Sequence, residues 1–315
     1  MIHDSIVDAI GNTPLIRLQR VHPLGNLVAK IEYTNPGGSI KDRIGMPMIL
    51  RAEENGSLEP GGVIVEPTSG NTGVGLAMAA AIKGYRLICV MADKQSQEKR
   101  DLLKALGAEV VICPTDVPPD DPRSYYSVAE QLAEEIPGAY RPDQYSNPAN
   151  IDAHLDTTGP EIWSQTDGAV EVFAAGIGTG GTIGGVGAFL KAMNSDLMII
   201  GIDPEGSIYT ADTADDVTPY LIEGVGEDFW PDIFDPDVVD RYERVSDRDA
   251  FLMTRRLAEE EGLLVGGSCG MAVVGAARVA TEYPDRLTIV LLPDSGRNYI
   301  SKIFNDDWMR EQGFL

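Results

Sequence analysis

The chain has 315 residues, 43% hydrophobic and 23% charged, which is enough apolar material for one large or two ordinary globular domains and too much for a disordered chain. Its 25 Lys+Arg against 49 Asp+Glu leave a formal charge of −24, which disfavours nonspecific binding to nucleic acid or to an anionic membrane surface. An anionic ligand must then be held by local backbone dipoles, not by the field of the whole molecule.

The first residues, Met1-Ile2-His3-Asp4-Ser5, show neither the basic region nor the apolar run of a signal peptide, and no stretch is apolar for long enough to span a bilayer. Gly11-Asn12-Thr13-Pro14 is turn chemistry, followed by strand patterns at 15–18 and 27–32. A helical pattern over 44–55 ends at Gly56, and Pro47 inside it predicts a late start or a kink. Strand and helix then alternate: strand 63–65, a helix opened by 68–73 and ended by Gly84, strand 86–91, helix 97–106, strand 109–112. A loop rich in proline and aspartate (114–122) precedes a helix near 127–136. Past Tyr140 the pattern restarts with helix 156–166, strand 170–175, a glycine-rich turn, helix 182–193 and strand 198–203. An acidic irregular region (204–236) leads to helix 247–261, strand 263–265, helix 268–283 and strand 287–292. Such alternation predicts an α/β protein built from two three-layer α/β domains with mostly parallel sheets, and a ligand cleft between them. The expected division is 44–147 as a smaller, mobile domain and 1–43 with 148–315 as the larger, cofactor-anchoring one.

Four segments carry chemistry. Asn35-Pro36-Gly37-Gly38-Ser39-Ile40-Lys41 brings a lysine to the start of a helix behind a loop without side chains to block a planar ligand. The positive helix end disfavours a second cation there and keeps Lys41 nucleophilic, although a solvated lysine beside a turn has the same spacing. Gly176-Ile177-Gly178-Thr179-Gly180-Gly181-Thr182 lies between a strand and a helix, a backbone site for an anion. With Asp203 further on, it reads as a dinucleotide site, another phosphate site or a plain turn. Glu66-Pro67-Thr68-Ser69-Gly70-Asn71-Thr72-Gly73 and Gly266-Gly267-Ser268-Cys269-Gly270 are two more polar helix starts, each suited to a ligand or to ordinary capping. The first suits a carboxylate, with Asn71 able to donate to a ring oxygen. His3, His22 and His154 are scattered and Cys89, Cys113 and Cys269 lack metal-ligand spacing, so no metal is expected. The cysteines read as reduced thiols of a cytoplasmic protein.

A cofactor with a phosphate, an aldehyde, a ring hydroxyl and a ring nitrogen uses all four segments at once, which is the description of pyridoxal 5'-phosphate. A nicotinamide oxidoreductase built on 176–181 and Asp203 gives Lys41 and Ser268 no task. From Gly11-Asn12-Thr13-Pro14-Leu15 to Trp308-Met309-Arg310-Glu311-Gln312-Gly313-Phe314-Leu315, the chain resembles the cysteine synthase/cystathionine β-synthase family of fold-type-II pyridoxal-phosphate enzymes, which share a tryptophan synthase β-like fold.

The resemblance implies that Lys41 is the Schiff-base lysine, which removes and returns the Cα proton. It makes Gly178, Thr179, Gly180, Gly181 and Thr182 the phosphate loop, with Asn71 beside the ring hydroxyl and Ser268 beside the ring nitrogen. Thr68, Ser69, Asn71 and Thr72 with Gln144 become the site for the amino-acid carboxylate, and Tyr145 and Gly224 line the substrate cleft. The implied reaction is replacement of the β-hydroxyl of L-serine by L-homocysteine to give cystathionine. The alternative is formation of cysteine from O-acetylserine and sulfide, since members that do this share 68–73, the phosphate loop and Thr157-Thr158-Gly159-Pro160-Glu161-Ile162-Trp163. Gly37-Gly38-Ser39, Asp203-Pro204-Glu205-Gly206-Ser207 and Glu223-Gly224-Val225-Gly226-Glu227-Asp228-Phe229 favour cystathionine, although Glu227 stands where the animal enzyme has a tyrosine. No N-terminal haem-binding extension or C-terminal regulatory module is visible, so no haem is expected. Small amino-acid and thiol substrates and a homodimer are the implied partners, with no nucleic acid and no membrane.

Overall fold

The computed structural model describes residues 2–68, 70–93, 95–118 and 121–315. Its strands are β1 (Leu15–Arg17), β2 (Leu27–Ile31), β3 (Val63–Pro67), β4 (Arg86–Ala92), β5 (Glu109–Cys113), β6 (Ala139–Tyr140), β7 (Val172–Gly176), β8 (Met198–Pro204), β9 (Arg241–Val245) and β10 (Thr288–Leu292). The helices are α1 (Asp42–Glu54), α2 (Asn71–Lys83), α3 (Gln97–Ala105), α4 (Tyr125–Glu135), α5 (Ala149–Ala153), α6 (Gly159–Gln165), α7 (Gly181–Met193), α8 (Asp247–Glu261), α9 (Gly267–Glu282) and α10 (Asp306–Glu311). Contacts divide the chain into two compact units, Met1–Ile10 with Asn35–Asn150 and Gly11–Thr34 with Ile151–Leu315. The lysine loop therefore falls in the smaller unit by contact, because α1 packs along α2.

The smaller unit holds a parallel sheet of order β5-β4-β3-β6 among the described residues. Val65, Ile88, Val90 and Cys113 line its core with Ala129 of α4, apolar runs that pair only when both sheet faces are covered. Each such aliphatic side chain contributes roughly 1.5–3 kcal/mol on full burial. The larger unit holds the order β1-β2-β10-β7-β8-β9, in which β1 runs antiparallel to β2 and the rest are parallel. Its core joins Leu27, Ala29, Val172, Ile200, Val290 and Leu292 to Phe251 of α8 and Met271 and Val273 of α9.

The α/β class and the mostly parallel sheets agree with the alternation in the sequence. Several boundaries differ. α1 starts at Asp42 and runs through Pro47, with neither the late start nor an interruption; the proline removes one hydrogen bond, to Arg43, and the remaining turns carry the helix. The helix expected at 156–166 begins instead at Ala149 and passes through a π-helical turn at His154–Thr158 before α6. Pro160 lacks the N–H that a regular helix would donate to Asp156, and wider bonding absorbs that loss. The strand expected at 263–265 is a single bridge, Val265 to Ser295, because Gly266 and Gly267 already open α9. β6 and β9 have no expected counterpart. The 204–236 region is irregular as expected, with short 3-10 turns at Ile208–Thr210 and Ala214–Asp216. Among the described residues, no helix is long and apolar enough to cross a membrane.

Candidate active site

In the smaller unit, Lys41 is the residue before α1, and the loop in front of it is folded by its own backbone. Gly38, at φ +86°, donates to the Asn35 carbonyl at 2.9 Å, and the Asn35 amide donates to the Ser39 carbonyl at 3.2 Å. Gly37 must be glycine for a second reason: a Cβ there would stand 2.5 Å from the Asp42 carboxylate, which accepts the Gly37 N–H at 2.6 Å. A Cβ on Gly75 would stand 2.5 Å from the Lys41 carbonyl, and Gly45 faces the Gly75 carbonyl as closely. The two helices therefore meet backbone to backbone. This brings Lys41 against the first turns of α2, the helix that begins at Asn71.

The α2 start is built from buried hydroxyls. The Thr68 oxygen accepts from the Gly70 and Gly73 N–H groups at 3.1 and 3.2 Å, which is the capping that its residue type favours. Thr72 donates to the Gln144 side-chain oxygen at 2.8 Å, and both are buried. The structure thus joins Thr68, Thr72 and Gln144 in one polar cluster, with Tyr145 half-buried in the turn after Gln144. Ser69 lies outside the described residues. Sequence reasoning missed the group beneath this cluster: Glu66, 1% exposed, accepts the Asp143 N–H at 3.0 Å and the Gln144 N–H at 3.4 Å. Burial raises its carboxyl to about 7, and the Asp143 charge adds to this against the two N–H donors.

In the larger unit, the turn from β7 into α7 carries Gly178, Thr179, Gly180, Gly181 and Thr182. Gly180 is left-handed at φ +81°, and a Cβ there would meet Phe234 at 2.6 Å. A Cβ on Gly178 would lie 2.8 Å from the carbonyl oxygen of Gly224, so the structure brings Gly224 to the phosphate-type loop. Two residues that the sequence did not single out hold this loop. Tyr209 donates to the Gly178 carbonyl at 2.5 Å, and the buried His154 ring lies between the Thr182 and Thr158 hydroxyls, at 3.2 and 2.9 Å. No local signal marks either, since both bonds join residues far apart in the chain or span a π-helical turn. Asp203, the would-be ribose acid, is fully buried and accepts from Thr210 at 2.8 Å, so it does not offer itself to a dinucleotide. Burial raises it to about 6, with the Thr210 and Ser207 hydroxyls opposing.

Ser268 stands in the first turn of α9, 4% exposed. The turn before it is held by Asp294, whose carbonyl accepts the Gly266 N–H at 3.2 Å and whose carboxylate accepts the Tyr299 hydroxyl at 2.8 Å. The three cysteines are buried and reduced, and burial raises each thiol, Cys89 to about 12. None is a nucleophile.

In the larger unit a side-chain-free loop at a helix start and a second helix start with a buried serine, and in the smaller unit a lysine at a helix start, are each of a kind suited to a group of pyridoxal phosphate. The residues present fit it. Comparison with known proteins agrees. Cystathionine beta-synthase of Dictyostelium discoideum is 46% identical over 320 residues, covering 100% of this chain and 64% of that protein. The Oryctolagus cuniculus enzyme of the same name is 48% identical over 98% of this chain and 58% of its own length, and that of Saccharomyces cerevisiae is 42% identical over 98% and 64%. The chain thus spans about three fifths of the length of these curated relatives. Residues 6–294 match the family described as pyridoxal-phosphate dependent enzyme, and the chain belongs to that family.

Proposed function

We propose that the protein replaces the β-hydroxyl of L-serine with the thiol of L-homocysteine to give cystathionine, a transsulfuration step. The observation that carries this reading is 42–48% identity to cystathionine beta-synthases across essentially the whole chain. Bound pyridoxal phosphate supplies the electron sink that makes the Cα–H of an amino acid acidic. Lys41 would hold the aldehyde and, once displaced from it by the substrate's amino group, its free amine would take the Cα proton and return it after the thiol has added. Gly178 to Thr182 hold the phosphate on backbone N–H groups, and Asn71 donates to the ring hydroxyl. Ser268 presents a neutral hydroxyl at a helix start, not a carboxylate, so it does not hold a proton on the ring nitrogen; that favours loss of the β-hydroxyl over transamination. Thr68, Ser69, Asn71, Thr72 and Gln144 receive the substrate carboxylate, and Tyr145 and Gly224 line the path of the thiol. The buried, free cysteines suit a cytoplasmic protein, and the family resemblance suggests a homodimer.

The test is a competition in which the purified enzyme meets serine and O-acetylserine with homocysteine and sulfide. Cystathionine from serine is the expected dominant product; cysteine from O-acetylserine as the main product defeats the proposal. Borohydride reduction should attach the cofactor to the Lys41 peptide, and Lys41→Ala should lose the yellow colour and lower turnover by at least ~10³-fold.

A further inference from the structure

Glu66 lies in the buried part of β3, pairs in register with Cys89 of β4, and reaches under the turn that follows β6. Its two oxygens accept the N–H groups of Asp143 and Gln144. Asp143 sits at φ +49°, a left-handed conformation that a non-glycine residue holds only when its surroundings impose it. The rest of the turn is fixed as well: Asn150 donates to the Gln144 carbonyl at 2.8 Å, and Ser146 donates to the Asp143 carboxylate at 2.7 Å. With the Gln144 oxygen taken by Thr72 at 2.8 Å, its N–H₂ remains a donor.

We infer that Glu66 is a positioning residue for the amino-acid substrate: its carboxylate fixes the Asp143–Gln144 turn and so aims the Gln144 amide N–H₂, whose oxygen the Thr72 hydroxyl braces. The inference rests on the proposed assignment of Thr72 and Gln144 to the substrate carboxylate. Glu66 touches no substrate; it acts through the turn.

The geometry makes amino-acid binding sensitive to pH. As an anion Glu66 accepts both N–H groups; once protonated, one oxygen becomes a donor and one N–H loses its acceptor. The groups facing it are the Asp143 carboxylate and Arg141 beyond β6, the Tyr140 hydroxyl on β6 and the Cys89 thiol on β4. Burial keeps the last two neutral near pH 7, whereas α4 turns Ala129, Val128, Leu132 and Tyr125 to this sheet. Burial above all, with the Asp143 charge, pushes the Glu66 carboxyl up to about 7. Substrate affinity rises with pH through that range. The contribution of Glu66 to folding stability moves the other way, because its raised carboxyl binds a proton more tightly in the folded chain.

The experiment titrates holoenzyme with L-alanine, which carries the α-carboxylate but no leaving group, and reads the dissociation constant from the visible spectrum. Wild type should bind about fivefold more weakly at about pH 6 than at about pH 8. Glu66→Gln should bind roughly tenfold more weakly than wild type at the higher pH, lose the pH dependence, keep its cofactor, and show faster amide exchange at 143–144. Wild-type affinity in Glu66→Gln, or an undiminished pH slope in it, overturns the inference. Should that variant not fold, a flat wild-type profile overturns it alone. Gln144→Ala separates the two readings: if it binds as wild type, the carboxylate assignment falls with the inference; if it weakens binding while Glu66→Gln does not, only the inference falls.

Discussion

Lys30 is fully buried in the middle of β2, and its ammonium reaches Glu161 at 2.8 Å, the Thr13 carbonyl at 2.7 Å and Gln165 at 2.9 Å. All three of its protons are placed, so the charge is tolerable; taking away one partner leaves it without compensation. Glu161→Ala should lower unfolding free energy by about 3 kcal/mol in denaturant titrations, and Lys30→Met in the same chain should recover most of it. A loss below about 0.5 kcal/mol would mean that the pair adds nothing. Neither Lys30 nor Glu66 stood out in the sequence, because each is defined by a partner 77 or more residues away. Lys41, Thr68, Gly178 and Ser268 did stand out, since a small residue or hydroxyl at a strand-to-helix turn is a local signal.

Helix starts organise both units, and the tightest packing lies behind them. Gly75 in α2 touches the Lys41 carbonyl closely enough that any Cβ must move α1. Gly75→Ala should cost roughly 1–3 kcal/mol of stability and displace Lys41, lowering cofactor content in the purified protein. Full cofactor loading with unchanged stability would show that the helices part without consequence. At this scale the long apolar strands and their following helices were legible because β-branched runs and glycine stops are local. β9, Arg-Tyr-Glu-Arg-Val, was not, because an edge strand alternates charge with apolar groups and borrows its burial from β8. The π-helical turn at 154–158 escaped for a different reason: its spacing is imposed by Pro160 and by packing against α7, not by a periodic pattern.

Across the whole molecule the net charge of −24 sets the response to solution conditions. Self-repulsion weakens with salt, so melting temperature should rise between low and physiological ionic strength. Buried carboxyls add a pH dependence of their own. Burial raises Asp203 from 3.8 to about 6, so its contribution to stability is complete below 3.8 and is lost as pH climbs through 6. Asp203→Asn lacks that charge, and its stability relative to wild type should improve by on the order of 1 kcal/mol between about pH 5 and 8. A pH-independent difference would place the proton elsewhere. The three inward-facing cysteines act at this scale too. With the proposed thiol substrate, an accessible cysteine would risk mixed disulfides. Exchange needs an accessible sulfur anion, and none of these sulfurs provides one. Such a protein can work in a pool of small mercaptans, oxidised or reduced, without being capped by them.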